Sequence, residues 1–115
     1  MGLAQISTAT VSTAVASITL TGIDSDDVYM VFMNNVVSAA DDKNLQMQYV
    51  KASDSSTDST SNYDYATKGM LSSGSFQNNN NTNESQYIIQ YARGNATGEQ
   101  DNNILSLFNT FLSSE

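Results

Sequence analysis

Apolar and polar residues alternate along most of this chain, and no sustained stretch shows the three-to-four-residue recurrence of an amphipathic helix. The alternation is clearest over residues 14–21. There Ala14, Ala16, Ile18 and Leu20 share one phase, and Val15, Ser17, Thr19 and Thr21 share the other. Successive side chains of a strand point to opposite faces, so this pattern predicts a half-buried strand. Residues 5–10 are rich in β-branched side chains and predict another. Residues 28–37 form the longest apolar run, with Val28, Met30 and Phe32 on one face and Tyr29, Val31 and Met33 on the other. A strand apolar on both faces is expected to be central or covered by a partner. Leu45, Met47 and Tyr49 alternate with Gln46 and Gln48, a one-sided strand. Residues 63–71 are ambiguous: Tyr63 and Tyr65 alternate, whereas residues 66–71 can close as a helical turn. Tyr87, Ile89 and Tyr91 place a strand at residues 86–91, and residues 104–111 supply the last.

The intervening segments carry turn chemistry. Residues 22–27 hold Gly22 and four of the polar residues that favour turns, residues 38–43 turn again, and residues 94–100 are bracketed by glycines. Residues 52–62 and 72–85 read as long solvated loops, the second with consecutive asparagines from Asn78 to Asn81. Seven strand candidates joined by polar loops predict an all-β fold, an antiparallel β-sandwich of jelly-roll type in one domain over residues 1–115. A jelly roll uses eight strands, so the sheet is expected to be incomplete at the C-terminus. The last candidate strengthens this expectation. Ile104, Leu105, Leu107, Phe108, Phe111 and Leu112 leave little to face water. Such an edge calls for cover, either by residues beyond Glu115 or by neighbouring subunits, a trimer being favoured.

Composition narrows the chemistry. The 115 residues include 48 Ser, Thr, Asn and Gln, and only 14% are charged. There is no His and no Cys, which excludes a Ser-His-Asp triad, imidazole or thiolate metal ligands, thiol nucleophiles and disulfides. Twelve acids against four bases give a net charge of −8, which disfavours nucleic acid and anionic membranes as partners. Residues 1–20 have neither a basic n-region nor a continuous apolar stretch and do not read as a signal peptide. No apolar run approaches a membrane span.

Three constellations carry potential chemistry. Asp24, Asp26 and Asp27, with Asp41 and Asp42 in the next turn, offer oxygen ligands of the kind Ca²⁺ takes, but without EF-hand spacing; solvated turns are the plainer reading. Tyr63, Tyr65, Tyr87 and Tyr91, with Tyr49, could stack on a glycan or make subunit contacts; packing inside the sandwich is the favoured alternative. Three N-glycosylation sequons, at Asn80, Asn83 and Asn95, are expected by chance in so Asn-, Ser- and Thr-rich a chain. Lys43, Lys51, Lys68 and Arg93 read as scattered surface charges. No carboxylate pair stands out, so no catalytic residue, cofactor or metal is assigned and the chain is expected not to be an enzyme.

Residues 19–35 read Thr-Leu-Thr-Gly-Ile-Asp-Ser-Asp-Asp-Val-Tyr-Met-Val-Phe-Met-Asn-Asn. This segment resembles virion structural proteins of marine tailed bacteriophages, including cyanophages. The Ala-Asp-Asp turn at residues 40–42, Ser-Asn-Tyr-Asp-Tyr-Ala at residues 61–66, Gly98-Glu99 and residues 104–109 extend the likeness over most of the chain. These motifs are short and carry no functional chemistry. The resemblance implies a β-sandwich or jelly-roll module in the virion, decorating the capsid or forming part of a fibre or tail appendage. It implies other virion proteins and a homo-oligomer as partners, with host surface glycan the alternative. Sequences of this type continue with further strands past the region resembling residues 107–115, which implies that these residues are the N-terminal part of a longer chain.

Overall fold

The computed structural model describes residues 2–25, 27–70 and 73–108. Six strands follow in chain order: β1 Tyr29–Val36, β2 Lys43–Met47, β3 Tyr63–Met70, β4 Phe76–Glu84, β5 Tyr87–Arg93 and β6 Asp101–Leu107. The fold is all-β, with no helix among the described residues and every ladder antiparallel. The alternation therefore identified the class correctly. The ladders are two-stranded, β1–β6, β2–β5 and β3–β4, so the described residues do not assemble an eight-stranded jelly roll. The chain divides into two compact units, one comprising Met1–Ala39 and Gln100–Glu115, the other Ala40–Glu99.

In the first unit β1 pairs with β6, setting Tyr29 opposite Leu107, Val31 opposite Leu105 and Phe32 opposite Ile104. One face, with Tyr29, Val31, Met33, Leu105 and Leu107, is half-buried; the other, with Met30, Phe32 and Ile104, is exposed. The expectation that the run 28–37 is covered on both faces is thus met on one face only. The strands expected at 5–10 and 14–21 do not form. Residues 2–22 join no ladder and are exposed except for the half-buried Ser7. Alternation fixes which side chains would share a face, but a strand also needs a partner for its N–H and C=O groups, and none is found here among the described residues. Gly22, at φ +98°, turns the arm back so that Ile6 lies 3.6 Å from where a Cβ would sit.

In the second unit β2 pairs with β5 and β3 with β4. The ambiguous segment 63–71 is a strand through Met70. The polar stretch 72–85, expected as a loop, instead contains β4. Its side chains are almost all exposed on both faces, so no apolar phase marked it; what holds it is the backbone ladder to β3. The core of this unit is small. Tyr63, 4% exposed, is the one buried hydrophobic side chain among the described residues of the whole chain.

All three ladders contain the same irregularity. In each, two residues on one strand oppose one on the other, and the second of the two has a left-handed backbone. These residues are Asn35 (φ 57°) in β1, Asn83 (φ 58°) in β4 and Ala92 (φ 49°) in β5. The N–H of each is bound by an Asn or Asp side chain directly opposite. Asn102 accepts from Asn35 at 2.9 Å, Asp64 from Asn83 at 2.9 Å and Asn44 from Ala92 at 3.0 Å. A bulge removes a donor from the ladder, and the facing side chain replaces the lost acceptor.

Candidate functional site

The tyrosines of the second unit fall into two groups. Tyr63 starts β3 with its ring between Tyr49, nearly parallel at 6.2 Å, and Tyr87, edge-on at 5.1 Å. Its hydroxyl donates to the Asp58 carbonyl at 3.0 Å and accepts from the Tyr49 N–H at 3.0 Å. The hydroxyl therefore ties both ends of the loop to β3. The loop closes on itself through the Asp58 N–H to Tyr49 carbonyl bond and the Val50–Thr57 bridge. Burial pushes the Tyr63 and Tyr49 phenols above their usual range, with neighbouring rings adding to the Tyr49 shift. Buried as it is, Tyr63 packs this unit and offers no face to a sugar.

Tyr65 and Tyr91 form the second group, Tyr65 two residues beyond Tyr63 in β3 and Tyr91 four beyond Tyr87 in β5. The Tyr91 hydroxyl donates to that of Tyr65 at 2.8 Å, with ring centroids 6.5 Å apart. The Asn81 side-chain amide donates to the Tyr65 oxygen at 3.4 Å and to Glu84 at 2.8 Å. Burial, then the bond to Tyr65, pushes the Tyr91 phenol up to about 12. Two phenols, an amide and a carboxylate thus meet on a partly exposed surface, the kind of group that binds hydroxyls. Asn81 and Glu84 were not singled out in the sequence because β4 looked like a loop; once β3 and β4 are paired, Tyr65 lies opposite Asn81.

The β1–β6 ladder presents a different surface. Val28, Met30, Phe32, Ile104 and Phe108 are all exposed, Phe32 at 61%, Ile104 at 64% and Phe108 at 66%. The two strands carry one charged side chain between them, Asp101. Together the five apolar residues expose roughly 500 Å², near the top of what a monomer's largest apolar patch reaches. Of the C-terminal residues expected at a subunit interface, Ile104 and Phe108 lie on this surface, and Leu105 and Leu107 are half-buried. Phe111 and Leu112 lie outside the described residues.

The acidic turns are occupied locally. Ser25 bonds both Asp27, at 2.6 Å, and the Tyr29 hydroxyl, at 2.8 Å, and Asp41 accepts the Asn95 N–H at 3.0 Å. Asp26 lies outside the described residues, among which no three acidic side chains gather as metal ligands. Arg93 departs from expectation: read as a surface charge, it is 7% exposed, at the end of β5 opposite Lys43. The register shifts in β5 set Arg93, opposite Lys43, on the face of Tyr87, opposite Met47, so plain alternation did not mark it as inward.

The chain matches no known protein family, no curated protein and no solved structure.

Proposed function

We propose that the chain is a non-enzymatic structural protein of a tailed-phage virion, a building block that decorates the capsid or forms part of a fibre or tail appendage. The observation that carries this reading is the uncharged, exposed apolar face of β1–β6. A surface of this kind is a liability in an isolated protein and an asset in an assembly, where other subunits cover it. The near absence of a buried core in the described residues fits the same role, because a small domain gains from neighbours the burial it cannot supply itself. The resemblance of residues 19–35 to marine phage virion proteins supplies the setting. The test is mass spectrometry of purified virions from the phage encoding this chain, with labelling of intact particles by antibodies against it. Peptides of the chain in particles at stoichiometric amounts are the expected result; a chain found only in infected-cell lysate would overturn the proposal.

The Tyr65–Tyr91 cluster favours a second reading, a glycan-binding module of a tail fibre. Its test is a glycan array probed with the protein. Binding that Tyr91→Phe and Asn81→Ala both weaken would support it, and an array without saturable binding would remove it.

A further inference from the structure

Residues 14–21 have the composition and alternation of a strand, yet they pair with nothing in the described structure. Next to this arm in sequence lies β1, which among the described residues has β6 on one side and no ladder strand on the other. A strand-forming segment without a ladder and a ladder with an open edge are complementary halves of β-strand addition. We propose that residues 14–21 of one copy add to the open β1 edge of a second copy, along Tyr29–Met33. This deepens the assembly reading above by naming the partner and the joint.

Length, charge and area favour a second copy as the partner. The arm segment has eight residues, as β1 does. Residues 2–23 hold no charged side chain in a chain of net charge −8, and β1 holds none either. Arm and edge can therefore meet without the repulsion that opposes most contacts between copies. The apolar face alone, at roughly 500 Å², falls short of the roughly 800 Å² per partner of a stable interface. An added strand makes up the difference with main-chain hydrogen bonds. Its Ala14, Ala16, Ile18 and Leu20 phase also extends one apolar face of the ladder. Exchange of identical arms closes into a ring, as cyclic oligomers require.

The experiment compares the full chain with an Ile18→Pro, Thr19→Pro double variant by sedimentation velocity over a range of concentrations. Adjacent N–H groups of a strand point to opposite sides, so two consecutive prolines remove a ladder donor in either register. The arm forms no ladder with the described residues of its own chain, so the variant keeps its fold, which circular dichroism verifies. The expected result is self-association weakened about tenfold or more, with a peptide of residues 12–23 binding the variant. Wild-type chain that stays monomeric throughout, or a double variant that associates as well as wild type, would overturn the proposal. A double variant that associates as well as wild type removes the arm joint and leaves the assembly reading standing, so the two proposals fail separately.

Discussion

The side-chain oxygen of Asn44 accepts the backbone N–H of Ala92 at 3.0 Å, across a ladder where Tyr91 and Ala92 together face that one residue. The pairs Asn102–Asn35 and Asp64–Asn83 repeat this relationship in the other two ladders. Three ribbons of unrelated sequence thus bend by one device. An asparagine-rich chain is well suited to it, since Asn both tolerates the left-handed backbone and can bind the freed N–H.

Ala92 is the exception among the three, lacking any side chain that favours φ above zero. Ala92→Gly should therefore stabilise the protein by about 1 kcal/mol, while Asn35→Gly and Asn83→Gly should change it much less. Asn44→Leu, which removes the acceptor, should cost about 0.5–1.5 kcal/mol. Urea denaturation of the four variants checks the ranking.

Tyr63→Ala should destabilise the second unit by about 3–5 kcal/mol, because the ring is its buried hydrophobic centre. Tyr63→Phe keeps the ring and loses the hydroxyl's two bonds to the loop. It should cost about 1 kcal/mol and release the loop. Hydrogen exchange at Tyr49 and Asp58 should quicken in Tyr63→Phe while β5 stays protected.

Stability should depend on pH at both extremes. The Tyr91 phenol holds its proton more tightly when folded, up to about 12 against an ordinary 10.0. Its contribution is complete below the unfolded value and is lost as pH rises from 10.0 towards about 12. Tyr91→Phe should remove that part of the alkaline loss, read from denaturation midpoints across the range. Bonds from Ser56 and Thr60 hold Asp54 and Asp58 below the usual carboxylate range. Their small contribution, Asp54 being exposed and Asp58 only half-buried, is present above that range and fades as pH falls through the lowered values. Carbon-13 titration of the two carboxyls checks the direction.

What the sequence disclosed follows from what alternation can encode. β1, β2, β5 and β6 were legible because each sets apolar residues in one phase against a half-buried face, as Leu45 and Met47 do in β2. β4 was not, because Phe76–Glu84 is polar in both phases and is held by its backbone. The arm at residues 14–21 erred the other way: it has the phase but no ladder partner among the described residues. The tyrosines stand out in the sequence as a group. Only register could separate buried Tyr63 from the Tyr65–Tyr91 pair and bring Asn81 to it.

The central claim is that the apolar β1–β6 face is built to be covered by other subunits. Sedimentation equilibrium of the 115-residue chain beside a Phe32→Ser, Ile104→Ser variant tests it most directly. Both side chains are exposed, so the variant should fold with a change in stability of no more than about 0.5 kcal/mol. The account expects the wild-type chain to form a defined oligomer at micromolar concentration, a trimer if it belongs to a fibre, and the variant to be monomeric. A wild-type chain that is a soluble monomer with a cooperative melt, indistinguishable from the variant, would contradict it.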